Sequence, residues 1–301
     1  QAYDVLDPNT TNETIRFLKE RLAQSGPSDR RDRVEMVGLG YAWPNVGLVH
    51  GFDHTLGFNP LRLADYADAT GAIDTVAGVD QKKFTAMFPR YNCRLANLLG
   101  LRFIVSRVPI EQVDTKYRQG DLQLIKRTKD GYIYENPRAR PRVMFARDWM
   151  LTDFDSIYES GRWPEFDPVT TVLLESDPAT EYPHVAAHPV ASRIASVHSD
   201  NELAIMLPSQ SKASPPSQVT LARYHNTEVE ISVDAAEAGF VVLNDIWHPW
   251  WRATVDGAST PILKANVLFR AVQVPAGKHV VRFSFTPIDG ALQELGERLS
   301  E

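Results

Sequence analysis

The sequence predicts an α+β protein. It reads as an N-terminal α/β region over residues 1–210, then a small antiparallel, jelly-roll-like β-sandwich over residues 211–301 with a C-terminal helix. Three observations carry this reading. Helical periodicity alternates with short apolar runs through the first part of the chain. A serine- and proline-rich stretch, Pro208 to Pro216, marks a linker or long loop. Beyond it, short strands with period-two alternation follow one another between turn residues.

The elements follow in chain order. From Thr11 to Gln24, Ile15, Leu18 and Leu22 share one helical face, and Ser25-Gly26-Pro27 ends the helix. Val34-Glu35-Met36-Val37 is a short strand, and the glycine- and aromatic-rich segment Gly38 to Pro60 is a loop region. Helices are predicted over Leu61 to Thr70, Gln81 to Phe88 and Tyr91 to Leu99; Gly100 stops the last, and Leu101 to Val105 is a buried strand. Lys129-Asp130-Gly131 is a hairpin turn between Leu122–Lys126 and Tyr132–Glu135. Val143 to Ala146 is a strand and Asp153 to Ser160 a helix. The sandwich strands are 218–224, 228–233, 240–244, 251–255, 268–274 and 279–285, with turns at Asp256-Gly257 and Pro275-Ala276-Gly277. The charged stretch Ala291 to Glu301 reads as helical.

Composition narrows the function classes. A net charge of −6 argues against a nucleic-acid partner, because phosphate contacts require a concentrated basic surface. The two dense basic runs, Arg30-Arg31-Asp32-Arg33 and Arg138 to Arg142, are interrupted and read as solvated turns. Cys93 is the single cysteine, so disulfides within the chain and thiolate metal sites are excluded; it reads as a buried structural residue rather than a nucleophile. The longest uncharged stretch, Met36 to Phe52, holds four glycines and Pro44, so it does not read as a membrane span, which takes about twenty mostly apolar residues. The chain opens without the basic and apolar regions of a signal peptide. Gly-x-Ser-x-Gly, phosphate-loop and dinucleotide motifs are all missing from the sequence.

Towards the C-terminus the residues become specific. Trp247-His248-Pro249-Trp250-Trp251 leads into Asp256-Gly257; Asn266 to Val272, Pro275-Ala276-Gly277-Lys278-His279 and Phe285-Thr286-Pro287 follow. This order resembles the closing module of the YfhO-like bacterial membrane proteins, within the broad class of polytopic glycosyltransferases that use lipid-linked sugars (the GT-C type). Leu98 to Val105, and Tyr134-Glu135-Asn136-Pro137 through Pro141-Arg142-Val143, resemble two earlier segments of that family, and Asn45 to Tyr66 does so more loosely. Trp250 departs from the pattern, standing where the family usually has glycine. The resemblance implies a longer parent whose transmembrane helices precede Gln1, with this chain on the extracytoplasmic (periplasmic) face of the inner membrane. It also implies a lipid-linked sugar or envelope glycan as partner. The catalytic acid of GT-C enzymes generally lies in a loop near their N-terminus, which this chain does not match. No catalytic residue is therefore carried over, no cofactor is implied, and the fragment is expected to be inactive alone.

The candidate binding residues are Trp43, Asn45, His50, Asp53, His54, Asn59 and Trp250. Aromatic faces stack on sugar rings, while asparagine and aspartate bond hydroxyls, and a glycine-rich loop is a common place for such groups. The competing reading of residues 41–59 is a structured connection whose polar groups cap neighbouring elements. His50, Asp53 and His54 are also metal-ligand types, but their close spacing in a non-helical segment does not support a site. His184 and His188 are bracketed by Pro183 and Pro189, which opposes the helix a metal pair needs. Of Trp247, Trp250 and Trp251, alternation prevents all three from being core: Trp251 is expected to fill the sandwich, and Trp250 is either a contact residue or core.

Overall fold

The computed structural model describes residues 4–24, 30–56, 63–72, 77–181 and 217–288. The expected linker at 208–216 and the helix at 291–301 lie outside these residues, as do His184 and His188. The α+β class holds, with three sheets among the described residues. The chain forms two compact units: residues 1–142 with 155–165 and 244–246, and residues 143–154 with 166–243 and 247–301.

In the first unit, β1 (Arg33–Val37), β2 (Asp53–His54) and β3 (Leu101–Ser106) are parallel, in the order β2-β1-β3. The antiparallel hairpin of β4 (Gln123–Arg127) and β5 (Tyr132–Glu135) continues the sheet beside β3. One face is apolar. Val34, Met36, Phe103, Val105 and Ile133 pack against Ile15 and Leu18 of helix α1 (Glu13–Ala23). Asn12 starts that helix, its side chain accepting from the Ile15 N–H at 3.1 Å. Trp43, Val46 and Phe52, from the β1–β2 connection, join the same core. This connection contains a five-residue helix, α2 (Val46–His50), that the loop reading did not anticipate.

The second face of β1 is polar, and the β2–β3 connection with α3 (Ala64–Thr70) and α4 (Arg94–Leu98) packs there. The helix expected over Gln81 to Phe88 does not form. A 3₁₀ turn, Val79–Gln81, ends at Lys82, which is extended (φ −68°, ψ 120°). Phe84 and Phe88 are drawn onto the Lys82 ammonium, so tertiary contacts override the helical pattern. The predicted Tyr91–Leu99 helix shortens to α4, capped by Cys93, whose sulfur accepts from the Ala96 N–H at 3.4 Å. The last helix of this unit, α5 (Phe154–Ser160), falls where it was expected.

The second unit is a sandwich. Its six-stranded sheet runs β6-β11-β15-β14-β8-β7. These are β6 (Val143–Ala146), β7 (Asp148–Leu151), β8 (Thr171–Leu174), β11 (Gly239–Leu243), β14 (Leu263–Ala265) and β15 (Phe269–Val274). The five-stranded sheet runs β13-β12-β16-β10-β9, from β9 (Gln218–Tyr224), β10 (Glu228–Ala235), β12 (Trp251–Val255), β13 (Ala258–Thr260) and β16 (Gly277–Phe285). Val241, Leu243, Val272 and Val274 of the first sheet meet Val229, Ile231, Val281 and Phe283 of the second in one core. Each such side chain stabilises the fold by roughly 1.5–3 kcal/mol. The sandwich is larger than the sequence implies. β6, β7 and β8 precede residue 210 yet hydrogen-bond into the C-terminal sheet, and β7–β8 is a parallel pair in an otherwise antiparallel layer.

Among the described residues, no helix is long and apolar enough to cross a membrane.

Candidate functional site

The loop residues expected to face a ligand are mostly turned inward. Trp43 is 7% exposed and belongs to the apolar core. Asn45 is half-buried at the N-cap position of α2. His50 is buried, its Nε2 2.7 Å from the Val5 carbonyl, and its ring stacks on Phe52 at 6.0 Å. On the other side of Phe52 lies His54, at 5.8 Å. The structure therefore brings His50 and His54 together through an intervening ring, not around a shared ligand.

Pairing of Val34 with His54 and of Arg33 with Asp53 puts these two β2 residues on opposite faces. His54 falls on the apolar side against Gly47, where an added Cβ would lie 2.8 Å from its Cδ2. Neither ring nitrogen makes a well-formed hydrogen bond among the described residues. Burial pushes its pKa down to about 4, against the smaller opposing influences of the Leu56 backbone, Glu35 and Asp53. It is neutral at pH 7. Asp53 points to the polar side, where Arg31 (2.8 Å) and Arg142 (2.9 Å) hold its carboxylate. Asn59 lies outside the described residues.

Trp250, in the second unit, is half-buried. It meets His248 edge-on at 4.8 Å and tilts against Phe285 at 6.1 Å. Trp251 is not a full core residue: it packs at the margin of the sandwich core beneath the Arg270 guanidinium, 3.7 Å from its ring centre.

The polar face of β1 carries a set of residues that sequence reasoning missed. Glu35 is 1% exposed. Its carboxylate accepts from the Thr55 hydroxyl (2.6 Å) and the Tyr91 hydroxyl (2.7 Å), and pairs with the Lys82 ammonium at 3.1 Å. That ammonium lies 4.6 Å from the centre of the Phe88 ring, 5.2 Å from Phe84 and 5.5 Å from Tyr91. Tyr66 donates to the Thr55 carbonyl at 2.6 Å. Burial pushes its hydroxyl up to about 12, with the charges of Arg33, Glu35, Arg142 and Asp245 bearing on it more weakly. Burial likewise raises Tyr91 well above its ordinary value, reinforced by Glu35. Beside this set runs an ionic chain. Asp245 pairs with Arg33 (2.7 Å) and Arg142 (3.0 Å), and Arg142 continues to Asp53.

Arg33 and Arg142 are therefore buried, against the reading of their basic runs as solvated turns. Asp32, from the first run, is also buried and binds Arg30 (2.9 Å) and Arg102 (2.8 Å). Each interrupted run places a guanidinium among buried carboxylates, where pairing offsets desolvation. The one sequence signal is Glu35 itself, a charge inside the otherwise apolar run Val34–Val37.

By residue type this is an acid–base kit; by geometry it is a lock. Each polar group named here holds another, and the Glu35 and Lys82 side chains are both withdrawn from solvent. Removing any one member strands a buried partner. Among the described residues, no three His, Cys, Asp or Glu side chains gather closely enough to hold a metal ion. The lone thiol, Cys93, is pushed up to about 11 by burial, which suits a structural residue.

Comparison with protein-family models, with curated proteins and with solved structures finds no match. Its resemblance to the YfhO-like proteins thus stands on the sequence segments alone. What the geometry adds is a distinction among surfaces. Tyr41, in the same loop as Trp43, is 83% exposed, and Leu48 on α2 is exposed as well. Among the described residues of the loop, Tyr41 and Leu48 are the large apolar side chains exposed to solvent.

Proposed function

We propose that this chain is the extracytoplasmic domain of a polytopic bacterial membrane protein of the YfhO-like kind. In this reading it positions a lipid-linked sugar or its acceptor glycan and carries no transfer chemistry of its own. The parent's own transmembrane helices would be its permanent partner, on the periplasmic side of the inner membrane. The family assignment rests on the four segments between Leu98 and Pro287. The non-catalytic part is supported by one observation: the acid and base side chains near the loop are engaged with each other. Glu35 is held by Thr55, Tyr91 and Lys82, and Asp53 by two arginines. A rigid framework with an exposed aromatic suits holding a sugar better than proton transfer to it.

A second reading, a purely structural or interaction domain, is favoured by the burial of Trp43 and the half-burial of Trp250. A carbohydrate-binding module on the sandwich would need a ring face free to stack, and Trp250 has His248 and Phe285 beside it. Titration of the chain with bacterial glycans and lipid-linked sugar analogues, followed by calorimetry, separates these readings. Positioning predicts saturable binding that weakens in Tyr41→Ala. A folded chain that binds none of them is the structural domain.

A further inference from the structure

The order β2-β1-β3, all parallel, is a topological switch: the chain leaves β1 towards β2 and then crosses back to β3 on the other side. The two connections also take opposite faces. Trp43, Val46 and Phe52 of the first pack on the Val34–Met36 side, whereas Tyr91 of the second reaches Glu35 on the other. In open α/β sheets such an arrangement parts the loops at the carboxyl ends of the two adjacent strands, and ligands sit in the crevice between them.

Here those ends belong to β1 and β3, and their residues are unlike the locked interior. Gly38 (φ 74°) follows β1, and a Cβ there would strike Val79 and lie 3.3 Å from the Arg107 Cβ. Gly40 (φ 97°) faces open space, its N–H bound to the Ala77 carbonyl at 3.1 Å. Tyr41 comes next, with its ring in solvent. Arg107 follows β3. Its N–H donates to the Val37 carbonyl (3.1 Å), and its Nη1 to the Asp130 carbonyl (3.2 Å), which anchors one end of an exposed guanidinium. Lys129 and Asp80 are exposed beside these segments.

We infer that the carboxyl ends of β1 and β3 form a binding crevice for a phosphorylated sugar. Arg107 receives the phosphate as a planar, permanently charged donor. Gly40 lets the backbone approach closely, Gly38 lets the chain turn tightly against Val79, and the Tyr41 ring offers its face to the sugar. Asp80 is an acceptor for hydroxyls. This rests on the ligand-positioning part of the function proposed above and not on membrane attachment.

The test is an NMR titration of the isotopically labelled chain with glucose 1-phosphate, glucose and inorganic phosphate. Saturable shifts at the amides of Gly38, Gly40, Tyr41 and Arg107 with glucose 1-phosphate are expected. Arg107→Gln should weaken binding at least tenfold, and Tyr41→Ala should weaken glucose 1-phosphate but not inorganic phosphate. The native spectrum of each variant reports that it is folded. Shifts confined to other residues, or unchanged affinity in Arg107→Gln, overturn the crevice while leaving glycan positioning standing. Equal binding of inorganic phosphate and sugar phosphate overturns the sugar half. Binding of none of the three, nor of the glycan panel, removes both proposals together.

Discussion

His54 and Glu35 sit back to back on adjacent strands and meet the cost of burial in opposite ways. Glu35 keeps its charge company, with a hydroxyl on each side and an ammonium ringed by aromatics. In Glu35→Gln the Lys82 ammonium is left buried without its counter-charge, so a loss of about 3–5 kcal/mol is expected in chemical denaturation. Adding Lys82→Met should recover much of it, because no unpaired charge then remains buried and the glutamine amide can still accept from the Thr55 and Tyr91 hydroxyls. His54 instead stays neutral. Its pKa falls from 6.5 in the unfolded chain to about 4 in the folded one, so the unfolded chain takes up the proton first as pH drops. Its contribution is intact above pH 6.5, erodes between 6.5 and 4, and levels off below that, amounting to about 3 kcal/mol. The stability of wild type relative to His54→Leu should therefore fall as pH drops through that interval and stay constant outside it. A constant difference from pH 7.5 to 4 would contradict the neutral, buried imidazole.

At the level of elements, turns were the most legible feature and irregular connections the least. Asp256-Gly257 was readable because both residues take positive φ (51° and 85°), a requirement few residue types meet. The Asp256 carboxylate then accepts from the Val280 N–H and contacts His279 Nδ1 (2.7 Å), tying the turn to β16. Two glycines test how position sets cost. Gly257 (φ 85°) faces open space, so Gly257→Ala should cost about 1 kcal/mol from backbone strain alone. Gly161 (φ 66°) abuts the Ala86 carbonyl, and Gly161→Ala should lower the melting temperature clearly more. The connection from Val79 to Phe88 was misread for a physical reason. Its periodicity suits a helix, but the decisive interaction is between Lys82 and a carboxylate 47 positions earlier in the chain, which no local window contains. The site suffered the same way. Trp43 and Asp53 were visible as residue types, yet which of Tyr41 and Trp43 would face solvent depends on where α1 packs. At the opposite extreme, Val267 has φ 74°, a conformation that a β-branched side chain resists and no pattern predicts. It is held where Asn266 exchanges hydrogen bonds with the Leu173 backbone.

For the whole molecule, the two compact units are threaded by an interleaved path. The chain completes most of one unit, enters the other, returns for residues 155–165, leaves, and returns again for 244–246. Alternation within each strand revealed the sandwich. That β6, β7 and β8 join it was hidden, because pairing partners lie far apart in sequence. The last return carries Asp245, the counter-charge of Arg33 and Arg142. Asp245→Ala should cost about 3–5 kcal/mol and speed amide exchange in β1 more than in β10. The separations, 212 residues to Arg33 and 103 to Arg142, have a consequence for biosynthesis. A chain emerging from its N-terminus makes β1, β2 and β3 with Arg142 already able to pair with Asp53, whereas the carboxylate that pairs with Arg33 and completes the ionic chain arrives only after most of the second unit has been made. The first unit is thus unfinished at residue 142 in charge, though nearly complete in length, and a nascent chain paused there would be a natural client for chaperones.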